Sequence, residues 1–279
     1  MTRIRVLTDS ACDLPEDVIQ RLDIDVVSLT IRFGDQEYVD RVDLTPSAFW
    51  AKCKSSKTLP ETAAPSPGAF QAGYERAKAD GCDGVLVLTL SAALSATHQS
   101  ATLAAEAVSS TIAVRVIDTR AVSMAQGLLC IEVAELAQTG ASIDELVEHL
   151  DSLTNKVGVV AMLDTLEHLV KGGRVGGARA LLGQVLSIKP LLELKDGVVA
   201  EAGRQRTRAK ALAAIAEVAK SHAPLRRFAL VHGDSPEVKH LEELVAGIPT
   251  EFAMIVTDMG PVVGTHGGPG IIALCWIES

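Results

Sequence analysis

Short aliphatic runs alternate with capped helical segments through the first half of this chain, and that alternation limits its fold more than any other feature. Ile4–Leu7, Val26–Ile31, Val85–Leu90 and Val114–Ile117 are bounded by turn residues or helical patterns, as buried strands are. Helix starts fall between them. Asp13 and Glu16 read as a capping box with Pro15 in the first turn, while Thr45-Pro46 and Ser66-Pro67 each place a cap before an N1 proline. Strands that alternate with helices predict a mainly parallel sheet. Two amphipathic helices, Ser123–Gln138 and Ser142–Leu153, follow on either side of Gly140, and Ser142 with Glu145 opens the second as a capping box.

The pattern changes near residue 155. Val157–Leu163 reads as a strand, and Pro190–Arg204 as a hairpin turning at Asp196-Gly197. Thr207–Lys220 reads as a helix, Arg227–Val231 as a strand, Val238–Ala246 as a helix, and Ile271–Ile277 as a last strand that can join either half. The expectation is an α/β protein of two domains, 1–155 and 156–279. The first carries a mainly parallel sheet flanked by helices and the second a mixed sheet. At 279 residues and 48% hydrophobic, the chain can fill the cores this requires.

A net charge of −9 opposes general attraction to nucleic acid or an anionic bilayer. The five cysteines, at 12, 53, 82, 130 and 275, form no Cys-x-x-Cys pair and have no histidine at metal-ligand spacing, so they read as reduced core residues. The chain enters its first strand without an apolar signal region, and no apolar run approaches the ~18 residues of a membrane span. These features predict a cytoplasmic protein without a metal or cofactor. No long exposed apolar stripe is left unassigned, which predicts a monomer.

Gly264-Thr265-His266-Gly267-Gly268-Pro269-Gly270 reads as a loop between strands, with bare backbone amides turned toward an anionic group and a histidine beside them. A tight connection would use the same glycines. No P-loop, Gly-x-Gly-x-x-Gly, His-Glu-x-x-His or Gly-x-Ser-x-Gly motif occurs. Instead, hydroxyl residues gather at strand ends, where α/β proteins place ligands: Thr8-Asp9-Ser10, Ser91 and Ser95, Asp118-Thr119, and Thr62 ahead of a helix. Helix capping is the ordinary alternative for each, and for Asp9 it is loop ordering. His149, His168, His222 and His240 fall in polar, exposed helical settings, leaving His98, His232 and His266 as site candidates. Lys171–Gly177 reads as an exposed glycine-rich corner that follows a turn capped by Asp164 with Glu167 at N3, and it presents Arg174 either as a solvated charge or to a partner.

Read together, Thr8-Asp9-Ser10, Thr62–Ser66, Leu90–Thr97, the Leu169–Val175 segment with its Gly-Gly-Arg, and the closing Gly-x-His-x-Gly-Pro-Gly resemble the DegV family. These are bacterial fatty-acid-binding proteins that include the FakB subunits of fatty acid kinase. The resemblance covers nearly the whole chain and implies two α/β domains enclosing one long-chain fatty acid, palmitate for example, between them. It assigns the carboxylate to Thr62, Ser95 and His266, with Asp9, Ser10, Ser91, Ser123 and Gly267 as support, and gives no residue a catalytic role. It implies presentation of the carboxyl group to a separate ATP-dependent kinase subunit docked at Arg174, with transient membrane contact to collect or release lipid. Ala63 stands where relatives usually have Ser, Ala96 where they have Gly, and His98 where Tyr is common. Two other readings remain open at this point: a stand-alone hydrolase or phosphotransferase using Asp9, Ser95 and His266, and a module with no lipid.

Overall fold

A computed structural model of the chain describes residues 2–56, 58–181 and 188–279. Strands β1 (Ile4–Asp9), β2 (Asp25–Val27), β6 (Gly84–Thr89) and β7 (Ala113–Asp118) form a parallel sheet in the order β2-β1-β6-β7. Helices α1 (Glu16–Leu22), α3 (Pro67–Ala79), α4 (Thr97–Val108), α5 (Met124–Gln138) and α6 (Ile143–Leu153) complete this half. Every residue of β1 and β6 is buried, as a parallel strand covered on both faces requires. Between β2 and β6 the chain adds β3 (Thr30–Phe33), β4 (Gln36–Val39), α2 (Pro46–Ser55) and β5 (Glu61–Ala63), whose strands make a small antiparallel sheet, β4-β3-β5.

The second half begins with β8 (Val157–Met162) and α7 (Glu167–Lys171), then the hairpin β9 (Lys189–Lys195) and β10 (Val198–Gln205). It continues through α8 (Arg208–Ser221), β11 (Leu225–His232), α9 (Val238–Val245), β12 (Ile255–Asp258), α10 (Pro261–Gly267) and β13 (Ile272–Glu278). The six strands run in the order β10-β9-β8-β13-β11-β12, antiparallel except for the β11–β12 pair. The last strand therefore lies within the mixed sheet. Asp196 and Gly197, both at positive φ, form the expected hairpin turn.

The structure corrects several expectations. Val26–Ile31 is not one strand. The chain leaves the parallel sheet after Val27, the Leu29 amide donates to Ser10 Oγ at 3.0 Å, and pairing resumes at Thr30 in the antiparallel sheet. Asp13 does not cap α1, because its carboxylate accepts from Ser123 Oγ at 2.5 Å and from the Gly260 amide at 2.9 Å. Nor does Asp164 cap α7. Lys189 and Arg208 hold it at 2.6 and 2.7 Å, and Thr165 Oγ1 accepts from the Glu167 amide instead. Helix α5 is not amphipathic. From Met124 to Ala134 it is buried on all sides, because it packs between the parallel sheet and strands β11 and β13. Glu132 on this helix meets Arg227 at 2.7 Å and Arg226 at 2.9 Å, so the buried helix is held to the second half by charge as well as by apolar contact.

Candidate functional site

One apolar core runs through both halves, from Ile4 and Leu88 to Ala273 and Ile277. Within it lies a cavity of about 220 Å³ with an open mouth. Its floor is set by strand alternation. Leu192, Ala161 and Ala273 are paired across β9, β8 and β13, and all three face the cavity. Two alanines in that row leave the space a larger aliphatic pair would fill. Leu29, Leu90, Leu94 and Val122 close the cavity from the first half, and Val262 and Val263 on α10 from the second.

The lining turns polar where α10, β5 and the loop before α4 converge. Thr62 lies on β5 and is hydrogen-bonded through Oγ1 to His266 Nε2 at 3.0 Å. Ser95 precedes α4, and its hydroxyl shares a 2.9 Å hydrogen bond with Thr97 Oγ1. Arg174 completes the cluster, donating from Nε to the Leu94 carbonyl at 3.0 Å and from Nη1 to the Gly172 carbonyl at 2.6 Å. It is half-buried in the lining rather than free in solvent, so the exposed glycine corner is confined to its neighbours. Burial, then Arg174, then His168 push the His266 imidazole down to about 4, which keeps it neutral near neutral pH.

The glycine-rich segment carrying His266 is mainly a helix. Pro261 occupies its first turn, the Gly264 and Gly268 amides donate to the Gly260 and Gly264 carbonyls at 2.9 Å, and Thr265 Oγ1 donates to the Pro261 carbonyl. The Gly270 amide donates to the Gly233 carbonyl. These amides are spent within the protein, which corrects the reading of a bare anion-binding loop. Gly264 is needed for close packing, since a Cβ there would lie 2.7 Å from the Trp50 ring.

The remaining sequence candidates separate into two groups. Gly267 and Ser123 line the cavity, although the Ser123 hydrogen is committed to Asp13. Asp9, Ser10 and Ser91 lie outside its lining. Asp9 accepts from the Leu90 and Ala11 amides at 2.8 and 3.0 Å and from Gln126 Nε2 at 3.1 Å, while burial raises its carboxyl to about 6. Ser10 orders Leu29, and Ser91 donates to the Gly197 carbonyl at 2.7 Å, tying the first half to the β9–β10 hairpin. No hydrogen bond among the described residues joins Asp9, Ser95 and His266 into a base–nucleophile arrangement. Ala96 lines the cavity; His98 bonds Thr89 Oγ1 at 3.2 Å and His232 faces Asp258 at 3.6 Å, both outside it.

His168, which the sequence pattern places in an exposed helical setting, is enclosed by the fold. It is buried, its Nδ1 lies 3.0 Å from the Thr265 carbonyl, and its ring packs where a Cβ on Gly268 would stand. With Gly172 against the His266 ring, it fixes α10 beside α7. A single histidine in a five-residue helical turn gave no periodic signal of that burial. Among the described residues no cluster of His, Cys, Asp or Glu has metal-site geometry, and no helix is long and apolar enough to cross a membrane.

The sequence model of the DegV family matches residues 3–279. A DegV domain-containing protein of Listeria innocua is 33% identical over 282 residues, covering 98% of each chain. A Thermus thermophilus structure described as fatty acid binding of a DegV family protein superposes with a TM-score of 0.90 at 35% identity, covering 100% of both chains. The Bacillus subtilis structure described as DegV, a fatty acid binding protein, gives 0.89 at 31% identity over 100% of both.

Proposed function

This chain belongs to the DegV family, and we propose that its cavity holds one long-chain fatty acid, with the carboxylate at the Thr62–Ser95–His266 cluster and the tail along the aliphatic floor. The observation that carries the reading is a mostly aliphatic lining, interrupted by Glu193 and Ser123, in which Thr62, Ser95, Arg174 and His266 gather. A palmitate tail transferred from water gains ~0.8 kcal/mol per methylene, on the order of 10 kcal/mol before ordering costs. The head group needs partners in return for its lost water. Thr62 and Ser95 supply hydroxyls, neutral His266 holds Thr62 in place, and Arg174 supplies the positive charge that a carboxylate lacks in an apolar pocket. The fatty-acid-binding relatives support this assignment.

The protein would act as a carrier rather than as an enzyme, presenting the carboxyl group to an ATP-dependent kinase subunit that makes the acyl phosphate. Arg174 sits at the head-group end, beside exposed Lys171 and Gly173, where such a subunit would reach the carboxyl. A cytoplasmic monomer that touches the membrane only to load or release lipid belongs to the same proposal. So does division into domains at 1–155 and 156–279, supported by the fact that each large sheet draws its strands from one side of that boundary. The test is calorimetric titration with palmitate. Ser95→Ala is expected to weaken binding about tenfold, the value of one hydrogen bond to a charged group. Equal affinity in the two proteins would remove Ser95 from the head-group site.

A further inference from the structure

Ser95 reaches the head-group cluster on a single tight turn, and Ser91 anchors that turn. The Ser91 carbonyl accepts from the Leu94 amide at 3.0 Å and from the Ser95 amide at 3.2 Å, so the two serines shift together. Ser91 is fully buried, and its side chain leaves the turn: Oγ donates to the Gly197 carbonyl at 2.7 Å, at the tip of the β9–β10 hairpin. The same oxygen accepts from the Ala93 amide at 3.3 Å, which ties the hydroxyl at both ends.

The other bonds that hold this segment divide by origin. Asp9 holds the Leu90 amide at 2.8 Å, Asp118 the Ala92 amide at 3.1 Å, and the Ala121 carbonyl the Ser91 amide at 2.8 Å, all from the first half of the chain. Among the described residues two hydrogen bonds reach residues 90–97 from the second half. One is Ser91 to Gly197; the other runs from Arg174 Nε to the Leu94 carbonyl at 3.0 Å. They grip the turn at its start and just before Ser95. His266 also belongs to the second half, so these two bonds set how Ser95 stands relative to His266. Arg174 lines the cavity, whereas neither Ser91 nor Gly197 does. The fit at the hairpin tip is close: Gly197 lies at φ +77°, and a Cβ there would stand 2.5 Å from Ser91 Oγ and 3.3 Å from Arg120 Cβ.

Building on the fatty-acid reading, we propose that Ser91 is a positioning residue for the carboxylate and that the hairpin tip is its support. The Ser91–Gly197 bond fixes the Leu90–Thr97 segment against the second half and so holds the Ser95 hydroxyl where the head group meets His266. A hydroxyl free to drift by about 1 Å forfeits most of a hydrogen bond whose useful range is about 2.5–3.0 Å. Lipid affinity is then set in part by a turn outside the cavity.

The test is a double-mutant cycle read by calorimetric titration with palmitate, with folding of each variant checked by thermal unfolding. Ser91→Ala and Gly197→Ala are each expected to weaken palmitate about fivefold, and the two together no further. In a Ser95→Ala background neither is expected to cost anything more, because the hydroxyl they position is gone. Gly197→Ala against Ser95→Ala closes the cycle without touching the buried serine, should Ser91→Ala not fold. A Ser91→Ala or Gly197→Ala loss that persists undiminished beside Ser95→Ala would overturn the proposal, as would unchanged affinity in both single variants while Ser95→Ala weakens binding. No effect of Ser95→Ala itself would strike the head-group assignment, and the positioning role with it.

Discussion

Replacing His266 by glutamine should change how the protein tolerates acid, by an amount the structure sets. The imidazole falls from 6.5 to about 4 on folding because it is buried, with Arg174 and His168 adding to the effect. The folded state thus holds this proton less tightly than the unfolded chain does. Stability associated with neutral His266 is complete above pH ~6.5 and drains away as pH falls toward 4, to a total of about 3 kcal/mol. At about pH 5 the unfolded histidine is already protonated while the native one is not, a difference of roughly 2 kcal/mol. Glutamine can still bond Thr62 and does not titrate. Urea unfolding of both proteins at about pH 7.5 and about pH 5 should show the wild type losing roughly 2 kcal/mol more than His266→Gln between the two conditions. Asp9, Asp13 and Asp40 are common to both proteins, so their titration cancels in the difference. Parallel loss of stability would refute a neutral, desolvated His266. Palmitate adds a negative charge beside the ring, so the loaded wild type should retain its stability to lower pH than the empty one.

Two further substitutions address the cavity and its support. Ala273→Leu adds bulk at the centre of the cavity floor, where open space relieves the ~1–3 kcal/mol cost usual for overpacking; thermal stability should hold while palmitate affinity falls at least about tenfold, and unchanged affinity by titration would move the tail elsewhere. Burial raises the Asp13 carboxyl to about 7, so its contribution is complete below the unfolded value near 3.8 and fades as pH rises through 7. Asp13→Asn should therefore gain on the wild type by up to roughly 4 kcal/mol between about pH 4 and about pH 7.5 in denaturant unfolding, and a constant difference would contradict the assignment.

Much of the architecture was legible because strand and helix periods differ and caps are local. The parallel strands, the β9–β10 hairpin with Asp196-Gly197, and the Ser142–Glu145 capping box depend on neighbours a few residues apart. What escaped depends on distant ones. Asp13 resembles a helix cap until Ser123 and Gly260, 110 and 247 positions away, claim its carboxylate. Helix α5 is flanked by polar residues, yet two sheets close over it, so its burial is decided by packing rather than by its own pattern. The site divides in the same way. Thr62, Ser95, Arg174 and His266 were reached by motif, and the structure draws them to one end of a cavity. Asp9, Ser10 and Ser91 share the motif's strand ends but spend their oxygens on backbone groups and, for Asp9, on the Gln126 side chain as well, a use that residue type alone cannot distinguish from ligand binding. Ala161 and Ala273 had no signal at all. Their importance lies in the space they leave, and only cross-strand register shows that they stand side by side.

The most direct measurement is mass spectrometry of the natively purified protein, followed by denaturation, extraction and identification of what it carried. The expected result is one long-chain fatty acid per chain, bound in the native ion and released on unfolding. An empty protein that also takes up no added palmitate would contradict it.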